Sequence, residues 1–363
     1  MASAREVLEA LRRVKYPGFS RDIVSFGIVR DVEVGGLGTT ITVAPPADVP
    51  DLVDRIRDDV EQAVASLPGC GPVKLRTETP PPARSAGPAG ARAAAPGPRG
   101  PKPIPGVRHA VAVASGKGGV GKSTVAANLA LALREHGSVG LLDADVYGPS
   151  ATLMLGVEDA EPHVTPDRRI TPLEAHGIRM ISMGSFIERD KPVIWRGPMV
   201  TKLVNEFLHN VEWGALDFLV LDLPPGTGDV QLTLSQQLAM SGGVIVTTPQ
   251  DVALADVRRG VRMFRQVNVP VLGVVENMSG WTCGSCGHEE DLFGRRGGEA
   301  MAAELGIPFR GAIPLATAAR EAADAGTPLV EADPSSAVTA RFREIAAKVA
   351  RAAAEREELR VTV

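Results

Sequence analysis

The ten residues SGKGGVGKST, Ser115 to Thr124, constrain the fold of this chain more than any other stretch. They fit the pattern G-x-x-x-x-G-K-[ST], which has meaning only between a strand and a helix. The sequence supplies both. HAVAVAS precedes the loop, and KSTVAANLALALREHG begins with its last lysine. The glycines let the backbone curl so that successive N–H groups face one point. The helix that follows adds the positive end of its dipole. The expected ligand is the phosphate chain of ATP. Gly116, Lys117, Gly118, Gly119, Val120 and Gly121 form the cradle. Lys122 is expected to reach the β- and γ-phosphates, Ser123 to hold Mg²⁺ and Thr124 to touch the α-phosphate.

Lys117 is an extra lysine, second in the motif. A second cation near the γ-phosphate would neutralise charge that develops during phosphoryl transfer. Carboxylates stand where metal and water need them. LLDADVYGP ends one apolar run with Asp143 and Asp145, and LVLDLPPGTGD ends another with Asp222 before the turn at Gly226. Strand C-termini border the phosphate site in sheets of this kind. Asp222 is assigned to the Mg²⁺ shell, Asp143 supports it, and Asp145 is the candidate to orient the attacking water.

Around the loop the pattern alternates between apolar strands and amphipathic helices over residues 107–363. SVGLLDAD, RMISMGS, DFLVLDLPPG, GVIVTTPQ and VLGVVENM read as buried strands, with PMVTKLVNEFLHNV and ALADVRRGVRMFRQV as helices between them. Continuous rather than alternating apolar runs mark a mostly parallel sheet covered on both faces, an α/β domain. Aromatics are only 4%, so Val, Leu, Ile and Ala must fill its core. A last helix is expected from Asp333-Pro334, with Val338, Phe342, Ile345 and Val349 on one face.

Residues 80–106 are nearly all Pro, Ala, Gly or Arg and have little to bury, which predicts a semi-extended linker. Ahead of it, residues 1–79 read as a small α+β domain. It has a helix with Val7, Leu8, Leu11 and Val14 in register, strands DIVSFGIVRDVEV and TTITVAPP about the turn GGLG, a second helix and a short strand VKLRTE.

The bulk numbers exclude several classes. A net charge of −4 is not the footprint of a nucleic-acid binder. The apolar runs fall far short of the roughly 18 residues of a spanning helix, so no membrane partner is expected. Three cysteines in 363 residues do not make a disulfide framework, and no apolar leader follows Met1. The expected setting is the reducing cytoplasm.

Two of those cysteines, Cys283 and Cys286, form a C-x-x-C pair in GWTCGSCGHEED. A thiolate site usually needs four ligands, so one chain is two short. If two chains pair, four thiolates meet. They suit a bridging [4Fe–4S] cluster and equally suit tetrahedral zinc, and spacing does not separate the two. His288 does not complete the haem-attachment pattern and reads as a nearby polar residue.

Taken together, SGKGGVGKST, LLDADVYGPS, WRGPMVTKLV, LVLDLPPGTGD, VVENMSGWTCGSCG and LFGRRGGEAMAAELGIPF resemble the Mrp/ApbC family over residues 107 to about 350. That family consists of P-loop ATPases acting as iron–sulfur cluster carriers, similar in fold to the nitrogenase iron protein and to MinD. The resemblance implies that Lys117 belongs to a deviant Walker A motif and crosses a dimer interface to the partner's nucleotide. It also implies that Asn277 contacts the adenine, and it favours the cluster over zinc. Residues 1–79 resemble the small iron–sulfur assembly domain often fused ahead of such ATPases. The family's cysteine-containing segment is replaced by TVAPPADVP, so this domain is not expected to hold metal by itself, and Cys70 reads as a core or loop residue.

The function these readings predict is a homodimeric ATPase, slow in turnover, that carries a [4Fe–4S] cluster from a donor to recipient apoproteins. Two alternatives remain at this level. A MinD- or ParA-like positioning ATPase shares Lys117 and the fold but gives the cysteines no role. A zinc-clamped dimeric scaffold uses the cysteines but leaves the hydrolytic residues idle.

Overall fold

A computed structural model describes residues 3–16, 22–24, 28–35, 38–43, 52–65, 67, 70–77, 101–146, 148–165, 169–186, 197–226, 229–283 and 286–361. The expected linker over 80–106 lies outside these residues as far as position 100. The chain divides into two compact units, Met1–Pro98 with Phe186–Ile194 and Arg99–Ser185 with Trp195–Val363.

In the first unit, helix α1 (Ala4–Leu11) starts on a capping box. The Ser3 hydroxyl accepts the Glu6 N–H while the Glu6 carboxylate takes the Ser3 N–H at 2.7 Å. Strands β1 (Val29–Gly35) and β2 (Gly38–Val43) pair antiparallel across the expected turn. Of the strand read over 22–34, the described part that pairs begins at Val29. Helix α2 (Leu52–Ala65) buries Val53, Ile56, Val60 and Val64 at helical spacing. It is the crossover that lets β3 (Val73–Thr77) join β2 in parallel. Cys70 is buried, and its carbonyl accepts the Thr39 hydroxyl at 2.6 Å.

The second unit opens with β4 (Val107–Ser115), α3 (Lys122–Leu133), β5 (Val139–Asp143), α4 (Ala151–Met154), β6 (His163–Val164), β7 (Ile170–Thr171), β8 (Leu173–Ala175) and β9 (Ile178–Ser182). It continues with α5 (Gly197–Asn210), β10 (Leu216–Asp222), α6 (Asp229–Gln237), β11 (Gly242–Thr247), α7 (Asp251–Gln266) and β12 (Val271–Thr282). It closes with β13 (Glu289–Glu290), α8 (Gly297–Leu305), β14 (Phe309–Leu315), α9 (Thr317–Asp324), α10 (Leu329–Ala332) and α11 (Ala337–Val361). One sheet holds nine strands in the order β13-β12-β11-β4-β10-β5-β9-β8, with β14 on β12. Its pairings are parallel except those of β8 with β9 and of β13 with β12. The mostly parallel α/β domain read from the sequence is the one observed.

Helix α3 is buried without a break from Val125 to Leu133, as a helix apolar on all sides must be. It packs against the sheet at β5 and β10 on one side and α11 on the other. Phe342, Ile345 and Val349 of α11 are buried in this core. That helix does not start at Asp333-Pro334 as expected. It starts at Ala337, because the Ser336 hydroxyl accepts the Thr339 N–H at 3.1 Å and serves as the cap. Asp333 is used in a turn instead, accepting from the Ser335 N–H at 3.1 Å.

At the foot of β4, His109 is buried and stacks on Phe218 with ring centroids 5.3 Å apart. Nδ1 lies 3.4 Å from the Ser241 hydroxyl, and Nε2 lies 3.5 Å from the Glu357 carboxylate. Burial holds its pKa below the usual histidine range, Arg108 adds to this, and Glu357 and Asp217 oppose it. The unfolded chain therefore takes up this proton first. The stability His109 contributes is complete above about pH 6.5 and is lost as pH falls through that value toward the lower folded pKa. Between about pH 7.5 and 5.5 the unfolding midpoint should fall by about 2 °C or more beyond the fall seen in His109→Phe. Equal falls in calorimetry would remove His109 from the acid sensitivity.

Candidate nucleotide site and thiolate pair

Strand β4 lies between β10 and β11, and β5 lies beyond β10. The chain therefore leaves β4 toward one edge and later returns to its other side. The crevice at such a reversal, beyond the strand C-termini, is where ligands bind. The phosphate loop leaves β4 there. Gly119 and Gly121 take φ of 82° and 76°, a region that favours glycine. A side chain at Gly121 would also collide with the Asn277 amide. Around Gly118 and Gly119, no described atom lies within 4 Å of where a side chain would begin, which leaves a cradle open on one side.

Lys122 begins α3 and is buried. Its ammonium lies 2.5 Å from Asp222 Oδ1, 3.9 Å from Asp145 Oδ2 and 3.2 Å from the Ser123 hydroxyl. The parallel register sets Asp222 of β10 opposite Asp143 of β5. Asp143 is fully buried, and its carboxylate is held by the Ser182 hydroxyl at 2.9 Å and by the Ser150 and Ala151 N–H groups at 3.2 and 3.1 Å. Burial, and then the neighbouring Asp222 charge, pushes the Asp143 carboxyl up to about 7. Asp222 is raised as well, since burial outweighs the attraction of Lys122. Two buried carboxylates side by side call for more positive charge than one lysine gives.

Mg²⁺ fits this need. Asp222 Oδ2 is buried without a hydrogen-bond partner among the described residues. Such an ion takes one or two carboxylates and completes its shell with waters and phosphate oxygens. Among the described residues there is accordingly no cluster of three metal-ligating side chains.

The other expected residues lie around the loop. The Asn277 amide of β12 donates to the Val120 carbonyl at 2.9 Å. The Gly226 N–H donates to the Ser115 carbonyl at 2.9 Å, which docks the turn after β10 on the start of the loop. The Thr124 hydroxyl lies 3.9 Å from the Met154 sulfur. Lys117 is half-buried, and its carbonyl accepts the Ser115 hydroxyl at 2.9 Å. Among the described residues no contact ties its ammonium to the carboxylate cluster. The structure thus brings Lys122, Ser123, Asp143, Asp145 and Asp222 together and leaves Lys117 apart. Ser182, which holds Asp143, went unread in the sequence, although a hydroxyl ending an apolar strand is a signal of a polar neighbour.

The thiolates lie at the end of β12, which runs six residues beyond Glu276 to Thr282 rather than stopping at Met278. Trp281 and Thr282 pair with Glu290 and Glu289, so Cys283 and Cys286 occupy the tip of a hairpin. The tip is tightened by Cys283 N–H to the His288 carbonyl at 2.8 Å and by Gly287 N–H to the Cys283 carbonyl at 2.9 Å. Cys283 is half-buried and Cys286 is exposed.

Residues 106–350 match the family model described as NUBPL iron-transfer P-loop NTPase, and residues 4–75 match that of an iron–sulfur cluster assembly protein. An iron–sulfur cluster carrier protein of Synechocystis is 43% identical over 362 residues, 97% of this chain and 99% of the relative. A nucleotide-binding protein of Archaeoglobus fulgidus, solved in complex with ADP, is 37% identical with a TM-score of 0.55, over 61% of this chain and 88% of its own. The cell division ATPase MinD of Pyrococcus furiosus shares the fold, with a TM-score of 0.51 at 22% identity over 67% of this chain and 98% of its own. Loop and fold together define a P-loop NTPase with a MinD-like sheet. The chain belongs to the iron-transfer branch of that class, the family of the iron–sulfur cluster carrier proteins. No helix of the described residues is long and apolar enough to cross a membrane.

Proposed function

We propose that this protein binds and hydrolyses ATP and carries a [4Fe–4S] cluster, held between two copies and passed to recipient apoproteins in the cytoplasm. One observation carries the reading. A hairpin tip carries one half-buried and one exposed cysteine, and the third cysteine is buried in the other unit, so four thiolates require a second chain.

In the nucleotide site, Gly116 to Thr124 hold the phosphates and Lys122 neutralises them. Ser123 and Asp222 would hold Mg²⁺, with Asp143 behind them, and the ion would supply charge neutralisation at the phosphates. Asp145 orients the attacking water, Lys117 reaches the partner's nucleotide, and Asn277 reads the base. Nucleotide state then acts on the cluster only through a difference in affinity between two arrangements of the dimer.

The test is anaerobic reconstitution with iron and sulfide, followed by metal and sulfide counts, absorbance and transfer to an apoprotein. The expected result is about four iron and four sulfide per two chains. Zinc alone would favour the scaffold. No metal at all would favour a positioning ATPase of the MinD kind.

A further inference from the structure

We infer that Glu276 is the positioning residue of the thiolate loop, an inference that rests on the reading that Cys283 and Cys286 hold the cluster. Glu276 is 0% exposed. It lies in β12 opposite Thr247 of β11 and Ala312 of β14. A carboxylate in so apolar a strand is costly unless its oxygens are satisfied. Here they are satisfied from both ends of one loop. On the near side, the Ser279 hydroxyl donates to Oε1 at 2.5 Å. On the far side, the Arg296 N–H donates to Oε1 at 3.0 Å and the Gly298 N–H donates to Oε2 at 2.5 Å.

Those two amides open α8. Its own N-cap residue, Arg296, has φ 64° and gives no side-chain cap. Glu276 is the cap, reaching across 22 positions of sequence, and its charge meets the positive end of the helix. Glycine at 298 permits the approach, since a Cβ there would lie 3.1 Å from Oε2. Everything between the anchor points belongs to the loop, including both cysteines. The hairpin bonds shape its tip, and Glu276 fixes its base to the sheet. It acts through the loop.

Glu276→Gln keeps the volume but turns an NH₂ group toward N–H donors. Two measurements on the full chain test the inference. In the metal-free protein, amides of residues 279–295 should exchange about tenfold faster, with the rest of the sheet unchanged. In reconstituted protein, the cluster should be lost to a chelator about tenfold faster, followed by its absorbance. ATP affinity and the thermal midpoint serve as controls, since a merely structural role would lower the midpoint without hastening cluster loss. Unchanged exchange overturns the inference, and so does faster exchange with unchanged cluster loss. If Glu276→Gln does not accumulate folded, Ser279→Ala is read in the same two measurements with the same outcomes. A wild type that takes up no cluster would refute the thiolate reading instead, and the exchange measurement would still decide the clamp.

Discussion

Lys117→Ala is expected to lower ATP turnover by about a thousandfold while cluster loading stays near wild type. The loop's shape does not depend on this side chain. Ser115 bonds the Lys117 carbonyl, and Gly226 and Asn277 bond the carbonyls of Ser115 and Val120. Truncation should therefore remove a charge and leave the cradle. Within its own chain that charge lies apart from the carboxylate cluster, whereas Lys122 sits 2.5 Å from Asp222. The contrast suits a lysine that serves the other subunit, and mixing experiments decide it. Lys117→Ala and Lys122→Ala should each be inactive alone. If Lys117 acts across the dimer, a mixed dimer keeps one intact site, and an equal mixture should recover roughly a quarter of wild-type turnover. No recovery on mixing would place Lys117 in its own chain's site. Equal loss of turnover and cluster would end the division of labour between loop and thiolates.

The second large effect belongs to the cysteines. Cys283→Ala and Cys286→Ala should each take reconstituted iron from about four per two chains to below about one half, with ATP affinity unchanged. In the proposed shared site each substitution removes two of four ligands, so neither variant should retain a stable cluster. The hairpin tip is held by backbone bonds, so its shape should survive loss of a thiol. Full loading in either variant would mean that other residues are the ligands.

The parts legible in the sequence are those written locally. The phosphate loop, the strand before it and the helix after it are one contiguous message. Asp143 and Asp222 declare themselves by ending apolar runs, and the parallel register then sets them opposite each other. Partners distant in sequence were not legible. Glu276 reads as an odd acid inside VLGVVENM until α8 is folded against it, 22 positions on. The start of α11 was misread because Asp-Pro and Ser336 compete as helix starts, and only the Thr339 bond shows which one caps. The extent of β12 was not legible because Ser279 and Gly280 are residue types that favour turns, and cross-strand pairing with β13 overrides that local preference.

Strand β12 ties two clocks to one shaft. Asn277 grips the phosphate loop, and Cys283 follows the strand's last residue. The six-residue interval spans at most about 20 Å of extended chain. It is interrupted by Met278 at φ 55° and Gly280 at φ 74°, where the register with β14 slips. Along this strand, a displacement of the loop by nucleotide would reach Cys283 in one of two ways. The whole strand travels, or it flexes at that slip. Stiffening residues 278 to 280 would convert the second into the first, so that a shift of the loop would carry Cys283 with it.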